Sequence, residues 1–229
     1  MNNAYRQTAL FSGILFVLAT ATGIASVPVL HMLNNPDYMI IGEEQGSTLI
    51  LGSVLKLAMA FFCAGIGIVL YPVLKKFNAT LAAGAMGFRL IEGVFHAAAV
   101  LGIFPIVALS AQPEIILSSS GVNIEMAEVI LQSIREEAVN IALIAWLIGA
   151  SMYYIVFFTS QLIPRWLSVW GLAAVLPAFL AVMLDVFNIT DSMSLSHSIL
   201  NVPIAFQEMT LAVWLIFVGF NKSVKPKLA

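Results

Sequence analysis

Six long apolar runs, divided by short polar breaks, constrain this chain more than any other feature. They cover about residues 8–33, 47–74, 80–110, 137–161, 166–187 and 203–220. At a rise of about 1.5 Å per residue, runs of this length can cross a hydrocarbon core of about 30 Å. Backbone N–H and C=O groups inside hydrocarbon must be paired within the segment, so each run is expected to be a helix. The expected fold class is all-α: a polytopic six-helix transmembrane bundle, forming one domain over residues 1–229. Composition agrees, with 61% hydrophobic residues, 10% charged and a mean hydropathy of +0.99. A soluble domain carries about 25% charged residues.

The breaks have recognisable chemistry. Asn34-Asn35-Pro36-Asp37 ends the first run, and Lys75-Lys76-Phe77-Asn78 separates the second from the third. Pro164-Arg165 makes a short turn, and 188–197 is a polar connection. Pro203 is expected in the first turn of the sixth helix, where its missing N–H does no harm. Pro105 and Pro177 are expected to kink their helices or sit at breaks. Arg6 and Ala19-Thr20-Ala21 imitate a signal peptide, but the apolar run continues to about Leu33, so the first helix is expected to be retained.

Charge sets the expected orientation. Arg6, Lys75, Lys76, Arg165, Lys222, Lys225 and Lys227 fall at alternate ends of the runs. The opposite ends carry Asp37, Glu43, Glu44, Glu114, Glu125, Glu128, Glu136, Glu137 and Asp191, against the single cation Arg135. By the positive-inside rule both termini are cytoplasmic, in a multi-pass protein of the inner (cytoplasmic) membrane. Trp166 and Trp170 suit the aromatic belt of that inner face. In the outer connection, Ile124, Ala127, Leu131, Ile134 and Ala138 form an apolar stripe beside Glu125, Glu128, Gln132 and Arg135. That spacing predicts an amphipathic outer helix leading into the fourth span.

Few ionisable residues remain within the runs. Arg89, Glu92 and His96 share one helical face, at spacings of i, i+3 and i+7. Glu208 is expected about 18 Å from the cytoplasmic end of the sixth helix, level with Glu92, and Lys56 further out, toward His96. Charges at such depth cost several kcal/mol and mark candidate functional sites. Two cations and two carboxylates balance, so Arg89 is expected to bridge Glu92 and Glu208, with Lys56 paired to Glu208 or holding an anion. A carboxylate left over is expected to exchange protons with His96. These five residues are the candidates for binding a small polar solute or protons. An equally simple reading makes them a lock on helix packing, and His96 a satisfied interior histidine.

Other readings are narrower. His31, Asp185 and His197 lie near the outer face and are a weak metal set, without close histidine spacing. Cys63, the one cysteine, stands in an apolar run and is expected to pack as a small hydrophobe. Gly93 with Ala97, and Gly65 with Gly67, are expected to admit close helix neighbours. No cofactor is implied, and no basic patch suits nucleic acid. The bilayer is the expected partner.

Several strings together resemble one family. They are Leu70-Tyr71-Pro72-Val73-Leu74-Lys75, Phe88-Arg89-Leu90-Ile91-Glu92, Ile163-Pro164-Arg165-Trp166-Leu167-Ser168-Val169-Trp170-Gly171, and Pro203 through Gln207-Glu208-Met209 to Ala212-Val213-Trp214-Leu215 and Gly219-Phe220. The combination resembles the prokaryotic integral membrane proteins catalogued as domain of unknown function 4386. The resemblance implies a multi-helix membrane protein and supplies no catalytic residues. The family's ending places a Lys before Gly-Phe, whereas this chain has Ile216-Phe217-Val218-Gly219-Phe220, with Lys222 as the nearest replacement. Three functions follow as expectations: binding or transport at the polar centre, a structural or sensory partner role, and an intramembrane enzyme acting on lipid through Glu92 or Glu208.

Overall fold

The computed structural model describes residues 3–31, 38–105, 124–190 and 194–221. Six helices follow in order: α1 (Asn3–His31), α2 (Tyr38–Leu74), α3 (Ala79–Leu101), α4 (Ile124–Ser160), α5 (Arg165–Val186) and α6 (Leu195–Phe217). No strand occurs among the described residues. All six helices are long and apolar enough to cross a membrane.

Each helix packs on the next in sequence, and α6 returns to pack on α1, which closes a six-membered ring. The turns at 75–78 and 161–164 are short, so consecutive helices run antiparallel. One end of the ring gathers the termini. There Arg6 donates from Nη2 to the Ile216 carbonyl at 2.7 Å and from Nη1 to that of Leu215 at 3.3 Å. These are last-turn carbonyls of α6 with no intrahelical partner, and a cation there also suits the helix dipole. Lys76 sits 4.7 Å from the Tyr5 ring centroid, and the Asn221 N–H donates to the Leu162 carbonyl at 2.7 Å. We call this the terminal end and the other the distal end.

Local sequence explains the helix limits. Asn78 caps α3 by accepting from the Leu81 N–H at 2.9 Å. Regular α3 stops at Leu101, four residues before Pro105, whose missing N–H leaves the Leu101 carbonyl without its partner. Pro177 lies inside a continuous α5. The expected end of the third run at 110 lies outside the described residues. At the α2–α3 contact, a Cβ on Gly93 would stand 2.8 Å from the Ala60 carbonyl oxygen, so glycine permits that close approach.

One expectation needs correction. The sixth helix begins at Leu195, not near 203, because Ser194 accepts from the His197 N–H at 3.2 Å and caps the chain there. Pro203 therefore sits in the helix interior rather than its first turn. The expected amphipathic outer helix does lead into the fourth span, and α4 runs unbroken for 37 residues. Met126, Val129, Ile130 and Ile134 face outward, Ile134 being 54% exposed, while Arg135 turns inward beside the end of α3. Hydrocarbon outside the ring favours apolar side chains there, and polar groups are satisfied within.

Candidate functional site

Arg89 stands at the middle of the ring with its side chain 2% exposed. A Cβ on Gly67 of α2 would meet the Arg89 Cβ at 2.8 Å, so the glycine makes room for the arginine stem. The guanidinium spans several helices. Nη1 donates to Glu92 on its own helix, at 3.0 Å to Oε2 and 3.3 Å to Oε1. Nη2 donates to Glu208 Oε1 on α6 at 3.0 Å and to the Tyr153 hydroxyl on α4 at 2.9 Å. The Phe16 ring of α1 and the Tyr153 ring each lie 5.4 Å from the guanidinium carbon. A planar fork suits this many acceptors better than an ammonium.

Glu208 is held by three donors on one oxygen. Oε1 accepts from Arg89, from the Tyr153 hydroxyl at 3.1 Å and from the Trp146 indole at 3.0 Å. Two carboxylates thus share one guanidinium, and the neutral donors Tyr153 and Trp146 complete the set on Glu208. Toward the terminal end, Tyr154 donates its hydroxyl to Gln207 Oε1, and Gln207 Nε2 donates to the Leu167 carbonyl at 3.1 Å. Phe157 and Phe220 continue the core below them.

A cavity of about 210 Å³ opens toward the distal end, and all six helices contribute to its wall. Val27 and Leu30 come from α1, Lys56 from α2, Ala99, Val100 and Ile103 from α3, and Arg135, Glu136, Val139, Asn140 and Leu143 from α4. Asp185 of α5 and His197 of α6 complete it, with Ser26 of α1. Three of its polar groups lack partners. The Lys56 ammonium forms no hydrogen bond or ion pair among the described residues. The Asn140 side chain, in a residue 6% exposed, takes no hydrogen bond among them either. His197 Nδ1 is buried without a partner. Arg135, by contrast, pairs with Glu136 at 3.7 Å.

The family model described as Domain of unknown function (DUF4386) matches residues 11–219. The chain belongs to this family. No curated protein and no solved structure matches it.

The five candidates from the DUF4386 sequence divide into two groups. Arg89, Glu92 and Glu208 meet in the ion-paired centre. His96 is buried one turn distal of Glu92, between the Lys56 and Arg89 charges, and its Nδ1 has no hydrogen-bond partner. Lys56 does not pair with Glu208, whose partners are Arg89, Tyr153 and Trp146; it lines the distal cavity. Of the weak metal set, Asp185 and His197 share that cavity, and the His31 side chain lies outside the described residues. No group of three or more His, Cys, Asp and Glu suited to a metal ion occurs among the described residues.

Sequence reasoning missed Trp146, Asn140 and Gln207. Trp146 and Tyr153 are seven apart on α4, the same spacing that placed Arg89 and His96 on one face. That periodicity was a usable signal. Asn140 had one too, as an amide within the apolar fourth run.

Proposed function

We propose that this multi-pass membrane protein binds a small solute in its distal cavity, and that the Arg89–Glu92–Glu208 centre forms the packed floor beneath it. The observation that carries the reading is the convergence of Lys56, Asn140 and the buried His197 Nδ1, none with a protein hydrogen-bond partner among the described residues, in one cavity built by all six helices. Buried polar groups cost free energy unless they find partners, and a ligand or water supplies them. An apolar pocket with a few convergent polar groups is the usual form of a small-molecule site.

Binding is better supported than passage. Below the cavity, the ion-paired centre and the Tyr154, Phe157 and Phe220 side chains fill the ring. The positive charges at Arg6, Lys75, Lys76 and Arg165 put the terminal end in the cytoplasm under the positive-inside rule. On that orientation the protein lies in the cytoplasmic membrane, and its cavity opens outward.

The test is a thermal-unfolding screen of the full chain in lipid nanodiscs against a panel of small acids, amines, sugars and neutral solutes. A ligand at a hundred times its Kd stabilises by about 2.7 kcal/mol. We expect at least one panel member to raise the midpoint, and Ala99→Leu, which fills the cavity, to abolish the rise. A flat panel, or a rise that Ala99→Leu leaves intact, would overturn the reading.

A further inference from the structure

We infer that the distal cavity selects a small monocarboxylate with an apolar body, its carboxylate held by Lys56 and Asn140. This rests on the cavity being a solute site and adds the class of solute.

The sign of the ligand follows from which groups are already engaged. Of the cavity's acidic residues, Glu136 pairs with Arg135 at 3.7 Å, and Asp185 takes an interaction within the protein. The Lys56 ammonium and the Asn140 amide remain as uncommitted donors among the described residues. An ammonium supplies three N–H donors and no acceptor, so it calls for an anion or another strong acceptor. One uncommitted cation matches one negative charge. A dianion such as a phosphate monoester would bring a second charge into a low-dielectric wall with nothing to balance it.

The body of the ligand follows from the rest of the wall. Val27, Leu30, Val100, Ile103, Val139 and Leu143 surround the polar groups with aliphatic surface. The cavity is small, at about 210 Å³, and its aliphatic wall suits a short apolar body. His197 Nδ1 lies nearer the mouth, since His197 is in the first turn of α6 at the distal end. It is placed to hydrogen-bond a second polar group on a substituted acid.

The experiment is ligand-observed saturation-transfer NMR on the full chain in nanodiscs, with empty nanodiscs as the blank. The probes are hexanoate, hexanol, hexylamine and inorganic phosphate. Hexanoate is expected to show transfer above the blank, with an apparent affinity at least tenfold above that of the other three. Lys56→Met is expected to weaken hexanoate at least tenfold, Lys56→Arg to restore part of the loss, and Asn140→Leu to weaken it several-fold. Unfolding midpoints of the variants show whether each is folded, and Asn140→Leu carries the test if Lys56→Met is not. Hexanoate binding that no variant alters overturns the proposal. Equal binding of hexanol or hexylamine also overturns it, while leaving a solute site in place. No binding of any probe, together with a flat solute panel, removes both.

Discussion

Arg89 and Glu208 stand 3.0 Å apart although their helices, α3 and α6, are not neighbours in the ring. The pair therefore ties opposite sides of the bundle through its centre, and Glu92 shares the guanidinium from beside Arg89. Removing one member of a buried ion pair leaves an uncompensated charge and costs about 3–5 kcal/mol, whereas replacing the whole set by apolar or neutral groups is often nearly neutral. Arg89→Met is expected to lower the unfolding free energy in detergent by that amount. Adding Glu92→Gln and Glu208→Gln to it should recover most of the loss. Additive losses across the three substitutions would show that the centre is not one electrostatic unit.

Trp146 contributes a neutral donor to a charged acceptor, the stronger kind of hydrogen bond, at about 1.5–3 kcal/mol. Trp146→Phe keeps an aromatic ring and deletes only the N–H and part of the indole. The expected result is destabilisation within that range, read from urea or SDS unfolding. A double-mutant cycle with Glu208→Gln should show that most of the loss disappears once the carboxylate is gone. Independent effects would place the role of Trp146 in packing alone.

The helical spans and the ion-paired centre were legible because hydrocarbon makes strict demands. Segment length, paired backbone groups and balanced charge follow from the solvent, so Arg89, Glu92 and Glu208 stood out against an apolar background. The residues less legible were neutral ones. Trp146, Tyr153 and Gln207 carry no charge to flag them, and tryptophan or tyrosine in a span is as compatible with an interfacial belt as with a buried network. Of the two expected roles of Lys56, pairing with Glu208 is not found, because helical rise gives depth but not azimuth around the ring. The cavity could not be foreseen at all, since it needs one or more side chains from each of six helices.

Gln207 and Tyr154 form a second, uncharged lock. Both side chains are buried, and Gln207 also satisfies the Leu167 carbonyl from its amide nitrogen. Gln207→Leu strands the Tyr154 hydroxyl and loses that carbonyl contact, so a cost of about 1–3 kcal/mol is expected. Tyr154→Phe leaves the Gln207 oxygen without its donor and should cost a similar amount. The pair changed together should cost less than the two singles summed, because neither then strands the other. Equilibrium unfolding of the four proteins measures this directly.

The orientation gives the last prediction. Lys75, in the α2–α3 turn, and Ser196, in the first turn of α6, are both exposed and lie at opposite ends of the ring. Cys63 is the one native cysteine and is buried, so a new surface thiol can be read against a quiet background. In intact bacterial cells a membrane-impermeant maleimide should label Ser196→Cys and spare Lys75→Cys. Permeabilised cells should label both. The reverse pattern would put the termini outside, and the cavity would then open to the cytoplasm, where its solute would have to be sought. Labelling of both sites in intact cells would mean that the chain inserts in two orientations, which the one-sided distribution of Arg6, Lys75, Lys76 and Arg165 argues against.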